Sequence, residues 1–166
     1  MRLSVRHILL LITVLLSTIC GALALSAQTT LSLDGFQSDP DASVEMLADR
    51  LTVNQTDGSA RFEGNVVIAQ GDMRLSAALV DVTYLEAGEI GLLSASGGVI
   101  LVSKTDSAQA DSADYDFTGR QLRMRGNVLL NQGGISLSAD LLTIDIDTGG
   151  AVMEGRVRTV LPSVSK

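Results

Sequence analysis

The sequence has very little of what most catalytic and metal sites need. Among its 166 residues there is one cysteine, Cys20, and one histidine, His7, and both lie near the N-terminus. The chain after residue 27 is therefore without the nucleophile and base of Ser-His-Asp or Cys-His enzymes, without thiol redox chemistry and without the usual ligands of zinc. A domain built from those residues must also be stable without disulfide bonds.

Aromatic residues, proline and positive charge are scarce as well. Aromatic residues make up 3% of the chain, tryptophan is absent and there are two prolines. The 19 acidic residues outnumber the 12 lysines and arginines, and the net charge of −7 argues against a nucleic-acid partner. Glycine, by contrast, occurs 16 times, which favours many short strands joined by tight turns.

The N-terminus has the layout of a secretory signal peptide. Arg2 and Arg6 precede an apolar run over residues 8–19, and small residues follow up to Ala27. Cleavage can follow Ala24 or Ala27, and we favour Ala27, which removes residues 1–27. The alternative is an uncleaved membrane anchor, because residues 8–25 are about the shortest stretch that can span a bilayer.

The rest of the chain divides by composition into three parts. Residues 28–42 are polar and mixed, and they predict a flexible lead-in that can contribute an edge strand. Residues 43–161 show the alternation of apolar and polar residues that is typical of strands, and they form the predicted domain. Residues 162–166 are a polar tail.

The domain is organised by an internal repeat. A Gly-Asn-Val-like element recurs at Gly64, Gly97, Gly126 and Gly155, with spacings of 33, 29 and 29 residues. An Ala-Asp-like element recurs at Ala48, Ala77, Ala110 and Ala139, with spacings of 29, 33 and 29 residues. A period in this range indicates the stacking of one supersecondary unit. With strands of ordinary length it predicts an all-β domain of about 12–16 short antiparallel strands.

The repeated glycine admits two interpretations. A strand interior disfavours glycine, so a glycine at the same point of each repeat can mark a bend that folds the sheet over on itself. It can also mark a tight turn between two strands. Both interpretations predict a stack of antiparallel strands, and the sequence leaves the choice open.

No group of residues predicts catalysis or a cofactor. The carboxylates between Asp106 and Asp147 alternate with apolar residues, as on the solvent face of a strand. Gly97-Gly98 and Gly133-Gly134 do not open a helix, as a phosphate loop would. We therefore predict no enzymatic activity, no cofactor and no metal.

Apolar side chains of one parity form the candidate functional surface. They are either the core of a closed sandwich or the lining of an open groove for acyl chains, whose burial contributes roughly 0.8 kcal/mol per CH₂. The candidates are Val44, Met46, Phe62, Val66, Ile68, Leu75, Val82, Tyr84, Val99, Leu101, Phe117, Leu122, Met124, Val128, Leu130, Leu137, Ile144 and Ile146.

The first repeat is similar to a known family. Residues 44–53 (VEMLADRLTV), a turn at Asp57-Gly58 and residues 60–77 (ARFEGNVVIAQGDMRLSA) resemble the start of an OstA-like domain of the LptA family of lipopolysaccharide export. The resemblance extends over residues 44–160, is weakest over residues 86–103, and gains weight from the signal peptide and the single short domain.

The resemblance implies a β-jellyroll of the folded-over "β-taco" kind, which acts in the periplasm of a Gram-negative cell and is not an enzyme. Its inner face would bind the acyl chains of lipid A, and the lipid-contacting positions at the N-terminal end of the family fall on Val44 and Met46. The implied partners are lipopolysaccharide, related β-jellyroll domains of the inner-membrane complex and the outer-membrane translocon, and further copies joined head to tail.

Three alternatives stay open. The inner-membrane-anchored subunit of the same machine shares the fold and would keep residues 8–25. An amino-terminal piece of the outer-membrane translocon would continue into a long barrel. A periplasmic structural β-repeat with a closed core and no ligand would show the same apolar parity.

Overall fold

The computed structural model describes residues 31–36, 42–86 and 88–161, and within them it shows eleven strands, one short 3-10 turn and no α-helix. The first strands are β1 (Leu31–Ser32), β2 (Val44–Leu47), β3 (Arg50–Asn54), β4 (Ser59–Gln70), β5 (Met73–Tyr84) and β6 (Ile90–Val102). The others are β7 (Asp106–Asp116), β8 (Gln121–Gln132), β9 (Ile135–Asp145), β10 (Gly150–Glu154) and β11 (Arg158–Val160), and the 3-10 turn is Asp34–Phe36. The predicted signal peptide and the tail lie outside the described residues, which contain no helix long and apolar enough to cross a membrane.

All of these strands belong to one antiparallel sheet. Its order is β1-β10-β9-β8-β7-β6-β5-β4-β2, while β3 also pairs with β4 and β11 also pairs with β9. Because β2 and β3 lie along the same neighbour, they are two halves of one bent strand, and β10 and β11 are related in the same way. The sheet is therefore a meander that begins with the bent pair β2–β3 and ends with the bent pair β10–β11.

Every second strand of the meander bends because two consecutive residues adopt the left-handed backbone conformation. Their φ angles are 76° and 46° at Gly64–Asn65, 82° and 87° at Gly97–Gly98, 78° and 47° at Gly126–Asn127, and 74° and 45° at Gly155–Arg156. At the first three bends two residues lie opposite one residue of the following strand, which is the geometry of a β-bulge. The repeated glycine is thus a bend inside a strand and not a turn between strands.

The four bends lie in one row across the sheet, which we term the fold line. At the first bend Asn65 Nδ2 donates a hydrogen bond to Asp49 Oδ2 of the preceding strand at 2.8 Å, 16 residues away in sequence. The corresponding pairs are Asn127 with Asp111 (2.9 Å) and Arg156 with Asp140 (2.5 Å). The hydrogen bond from Arg156 also holds the pKa of Asp140 below its ordinary value. The Ala-Asp and Gly-Asn elements of the repeat are therefore the two sides of one contact.

The fold line divides the sheet into two arms. The β2 arm consists of residues 44–47, 66–77, 99–110, 128–139 and 158–160, and the β3 arm of residues 50–63, 79–96, 112–125 and 141–154. Alternate side chains of both arms point into the space between them and form the hydrophobic core. The predicted all-β, folded-over jellyroll is confirmed.

The strands of this jellyroll are fewer and longer than the sequence predicted. The six strands from β4 to β9 are 11 to 13 residues long. The prediction of 12–16 short strands was too high for the described residues because a strand continues through its bend and keeps pairing with its neighbours on both sides of it.

Replacing a fold-line glycine tests the importance of the bend. The control is Gly133→Ala in the β8–β9 turn, away from the fold line. Its only cost is the left-handed backbone conformation, because no heavy atom lies within 4 Å of the added Cβ. We expect Gly133→Ala to lower the free energy of unfolding by about 1–2 kcal/mol. Gly126→Ala carries the same penalty, and its Cβ would also overlap the Asp111 carboxylate that accepts from Asn127. Its loss should be larger by about 1 kcal/mol, the usual net contribution of a hydrogen bond.

Urea denaturation followed by circular dichroism measures both losses. Equal losses for the two variants would contradict a special role for the fold line.

Candidate functional site

The space between the two arms is the candidate site, and the structure places most of the predicted residues in it. Three of the eighteen, Met46, Phe62 and Phe117, are partly buried against the core, whereas Val44 and Tyr84 are exposed. The remaining thirteen are buried, namely Val66, Ile68, Leu75, Val82, Val99, Leu101, Leu122, Met124, Val128, Leu130, Leu137, Ile144 and Ile146.

Most of the buried positions that the sequence prediction missed are alanines. They are Ala60, Ala77, Ala95, Ala108, Ala110, Ala113, Ala139 and Ala151. Three of them belong to the Ala-Asp element, which lies beside the fold line where the arms converge and leave the least room. The alanine of the repeat is thus explained by the narrow vertex of the groove, and the repeat itself was the signal that could have identified it.

An apolar cavity of about 70 Å³ remains between the arms. Its lining comes from both arms, with Ile68, Leu75 and Leu101 on one side and Leu93 and Leu122 on the other. Sites that enclose a whole small ligand usually have volumes of roughly 300–1,000 Å³. In this conformation the arms are therefore nearly closed, and a large ligand requires them to separate or requires something between them to leave.

Two aromatic rings line this cavity, and one of them is hydrogen-bonded to a charged pair. Tyr115 and Phe117 line the cavity with ring centroids 4.2 Å apart. Arg120 Nη1 donates to the Tyr115 hydroxyl at 2.7 Å, and Arg120 Nε donates to Asp147 at 2.8 Å. Burial raises the pKa of Tyr115, and the bond to Asp147 raises the pKa of Arg120. The phenol is therefore neutral and the guanidinium charged near pH 7, so neither group exchanges a proton there.

The groove is open at the edge of the sheet formed by β2 and β3. Leu51 and Val53 lie directly opposite Phe62 and Ala60 and so share their inward parity. Yet they are 54% and 60% exposed, because no further strand of the described residues pairs with β3 on its outer side. The sequence prediction left these two residues out, although their alternation along β3 was a usable signal.

The first described residues form a short segment, which we term the strap (residues 31–36). It joins the two arms at the side opposite the fold line. At its start β1 pairs with β10 of the β3 arm, and Leu33 N donates to Gly149 O at 2.6 Å. Towards its end Gly35 packs on the β6–β7 hairpin of the β2 arm, where an added Cβ would lie 2.6 Å from Thr105 Oγ1.

Two side chains of the strap are built into the core. Leu33 and Phe36 are completely buried, although both lie in the stretch that the sequence predicts as a flexible lead-in. The edge strand that this stretch was expected to contribute is β1. Two apolar residues without a longer periodic pattern gave no signal that could place them inside the domain.

The outer faces of the arms are solvated and carry charged side chains together with exposed apolar ones such as Leu92 and Ile100. The ion pairs of Arg61 with Asp81 and of Arg125 with Asp114 lie there and are exposed on both sides. Within the described ranges, no group of three or more histidine, cysteine or acidic residues could hold a metal ion. The space between the arms is lined mainly by apolar side chains and can enclose an apolar ligand.

Comparisons with known proteins agree with this geometry. A family model described as "LptA/(LptD N-terminal domain) LPS transport protein" matches residues 45–150. A protein of Rhizobium meliloti (strain 1021), described only as uncharacterized, is 26% identical over 162 residues, which cover 90% of this chain and 87% of that protein. LptH of Pseudomonas aeruginosa, described as the LptA-homologous periplasmic component of the lipopolysaccharide transport device, has the same fold, with a TM-score of 0.68 at 17% identity over 76% of this chain and 99% of that one.

Proposed function

The chain belongs to the LptA/LptD N-terminal domain family of lipopolysaccharide transport proteins, and we propose that it is a periplasmic bridge protein of lipopolysaccharide export. In this role it carries lipopolysaccharide between the inner and the outer membrane, and the acyl chains of lipid A lie between its two arms. As a member of this family it is a transport component and not an enzyme.

The open edge of the groove is the observation that carries the proposal. Val44, Leu51 and Val53 are exposed apolar residues, and the parity of their strands directs them inward. A sandwich that served only as a structural module would cover such residues with its own chain, whereas an uncovered apolar surface indicates a ligand or another domain. An aliphatic lining suits acyl chains, because each buried CH₂ contributes about 0.8 kcal/mol without any directional contact.

The same edge supports assembly with a second copy. We term the strands that carry a left-handed pair even (β4, β6, β8 and the bent pair β10–β11) and those that alternate with them odd (the bent pair β2–β3, β5, β7 and β9). The meander therefore begins with an odd strand and ends with an even one. Within the chain, each even strand meets the next odd strand in one register, in which Val66 lies opposite Ala77, Val99 opposite Ala110 and Val128 opposite Ala139. The last even strand, β10–β11, has no such successor in the described residues. The β2–β3 strand of a second copy supplies one, with Val157 opposite Ala48 of that copy.

This register matches the two edges chemically. Along the inner face it sets Leu161 opposite Val44 of the next copy, and both residues are otherwise exposed. Along the outer face it sets Glu154 opposite Arg50 of the next copy, and opposite charges in directly paired positions stabilise a sheet. We propose that copies join head to tail in this register, and that the related domains of the inner-membrane complex and the outer-membrane translocon use the same two edges.

Removal of residues 1–27 distinguishes a free periplasmic bridge protein from the inner-membrane-anchored subunit. We expect N-terminal sequencing of the protein isolated from cells to begin at Gln28. A chain that retains residues 8–25 would instead identify the anchored subunit, because only that subunit needs them in the membrane.

Photo-crosslinking in cells tests the groove. A crosslinking amino acid at Met46 or Phe62, whose side chains pack toward the core, should capture lipopolysaccharide. The matched controls are Glu45 and Glu63, the adjacent positions of opposite parity in the same strands, and they should not capture it. Equal capture at both parities, or none at either, would contradict the groove and favour the ligand-free structural module.

A charge exchange tests the joint. Arg50→Glu sets two carboxylates opposite each other and should weaken self-association about 2- to 30-fold, since such pairs contribute roughly 0.2–1 kcal/mol and the sign is reversed. The double variant Arg50→Glu/Glu154→Arg restores the pair with exchanged charges and should recover the association. Arg74→Glu makes the same change of net charge on the exposed face of β5, away from both edges, and should have little effect.

Sedimentation velocity over a range of protein concentrations measures all three variants. Failure of the double variant to recover, or an equal loss in Arg74→Glu, would contradict the proposed register.

A further inference from the structure

The strap occupies two places that the proposed function needs. The first is the groove itself, in which Leu33 and Phe36 are completely buried between the arms. The second is the outer edge of β10, where Leu31 lies opposite Ala151 and Ser32 opposite Gly150. One short segment therefore fills part of the lipid path and covers part of the edge that the next copy would use.

The competition for the edge follows from the register of the joint. If Glu154 lies opposite Arg50 of the next copy, then Ala151 lies opposite Val53 and Gly150 opposite Asn54 of that copy. These are the two β10 positions that β1 already pairs with. The next copy can therefore dock along the whole of β10 only when the strap has left it.

The strap is attached in a way that permits it to leave. It is held by a two-residue pairing and by two buried side chains, and it contacts the β2 arm through a glycine. The loss of this burial on release is offset by the conformational freedom that six ordered residues regain. Segments with few backbone pairs are the first to open in a folded protein.

We propose that the strap is a displaceable plug, which closes the groove while the protein is free and leaves it when the next copy takes the edge of β10. This inference rests on the proposed function, because it takes lipid A acyl chains as the occupant that follows Leu33 and Phe36. Docking of the next copy and opening of the lipid path are then one motion, so an unjoined copy keeps its groove closed to other apolar molecules.

A reversible disulfide tests the plug within one molecule. In a Cys20→Ser background, Leu31→Cys with Ala151→Cys ties the strap to β10, because these two residues lie directly opposite each other in the β1–β10 pair. The control pair, Ser59→Cys with Thr83→Cys, joins two directly paired residues far from the strap. Binding of fluorescently labelled lipopolysaccharide and the length of the protein chains are measured before and after reduction.

The locked strap should bind the labelled lipopolysaccharide about tenfold more weakly than the reduced form, because apparent affinity falls with the fraction of molecules whose site is open. It should also form shorter chains, and reduction should restore both properties. The control pair should show no redox effect. Equal lipid binding in the oxidised and reduced forms of the strap pair would overturn the proposal, and equal chain length would overturn its link to assembly.

A second variant gives a prediction of opposite sign. In Gly35→Val the added side chain would overlap Thr105 and Ser103, so the strap cannot seat and lipid binding should increase. Unchanged or weaker binding by a folded Gly35→Val protein would count against the plug. If no form binds lipopolysaccharide, the carrier function itself is refuted, and the chain length of the locked and reduced forms still decides whether the strap blocks the edge.

Discussion

Two adjacent residues in the left-handed conformation, once in every second strand, are the constraint on which the rest of this structure depends. Glycine takes the first of the two positions at every bend because an added Cβ would meet the residue on the preceding strand, which is Asp49, Ala78, Asp111 or Asp140. The second position is Asn, Gly or Arg. Because all the bends lie in one row, each bent strand belongs to both arms. The vertex of the groove is therefore held by the backbone hydrogen bonds between strands on both sides of the fold line.

The same constraint leaves the side of the groove opposite the fold line as the side at which the distance between the arms can change. The described strands cross from one arm to the other at the fold line, and away from it side-chain packing and the strap hold the arms together. With a cavity of only about 70 Å³, the closed state buries its apolar lining without a ligand. If the proposed lipid enters this space, it replaces one set of apolar contacts with another, so no single strong interaction needs to be broken.

The sequence could predict this architecture as far as its repeat extends. The glycine and alanine spacings indicated both sides of the fold line, and strand parity placed residues such as Val66, Met124 and Ile144 inside. It could not show that each strand continues through its bend, because a positive φ belongs equally to a turn and to a bulge. Nor could it place Leu33 and Phe36, because contacts made by a short segment with distant strands leave no local pattern.

The odd and even strands also give the molecule a direction. Within the described residues, each of the even strands β4, β6 and β8, which bear the left-handed pair, meets a following odd strand that bears the alanine. The meander itself begins with the bent pair β2–β3 and ends with the bent pair β10–β11. Two copies of the same edge cannot pair in this register. Two β2–β3 edges would place together strands that both lack a left-handed pair, and two β10–β11 edges would place together strands that both carry one. Any assembly that keeps the fold line continuous must therefore join the last strand of one copy to the first strand of the next, and the groove then has the same direction throughout.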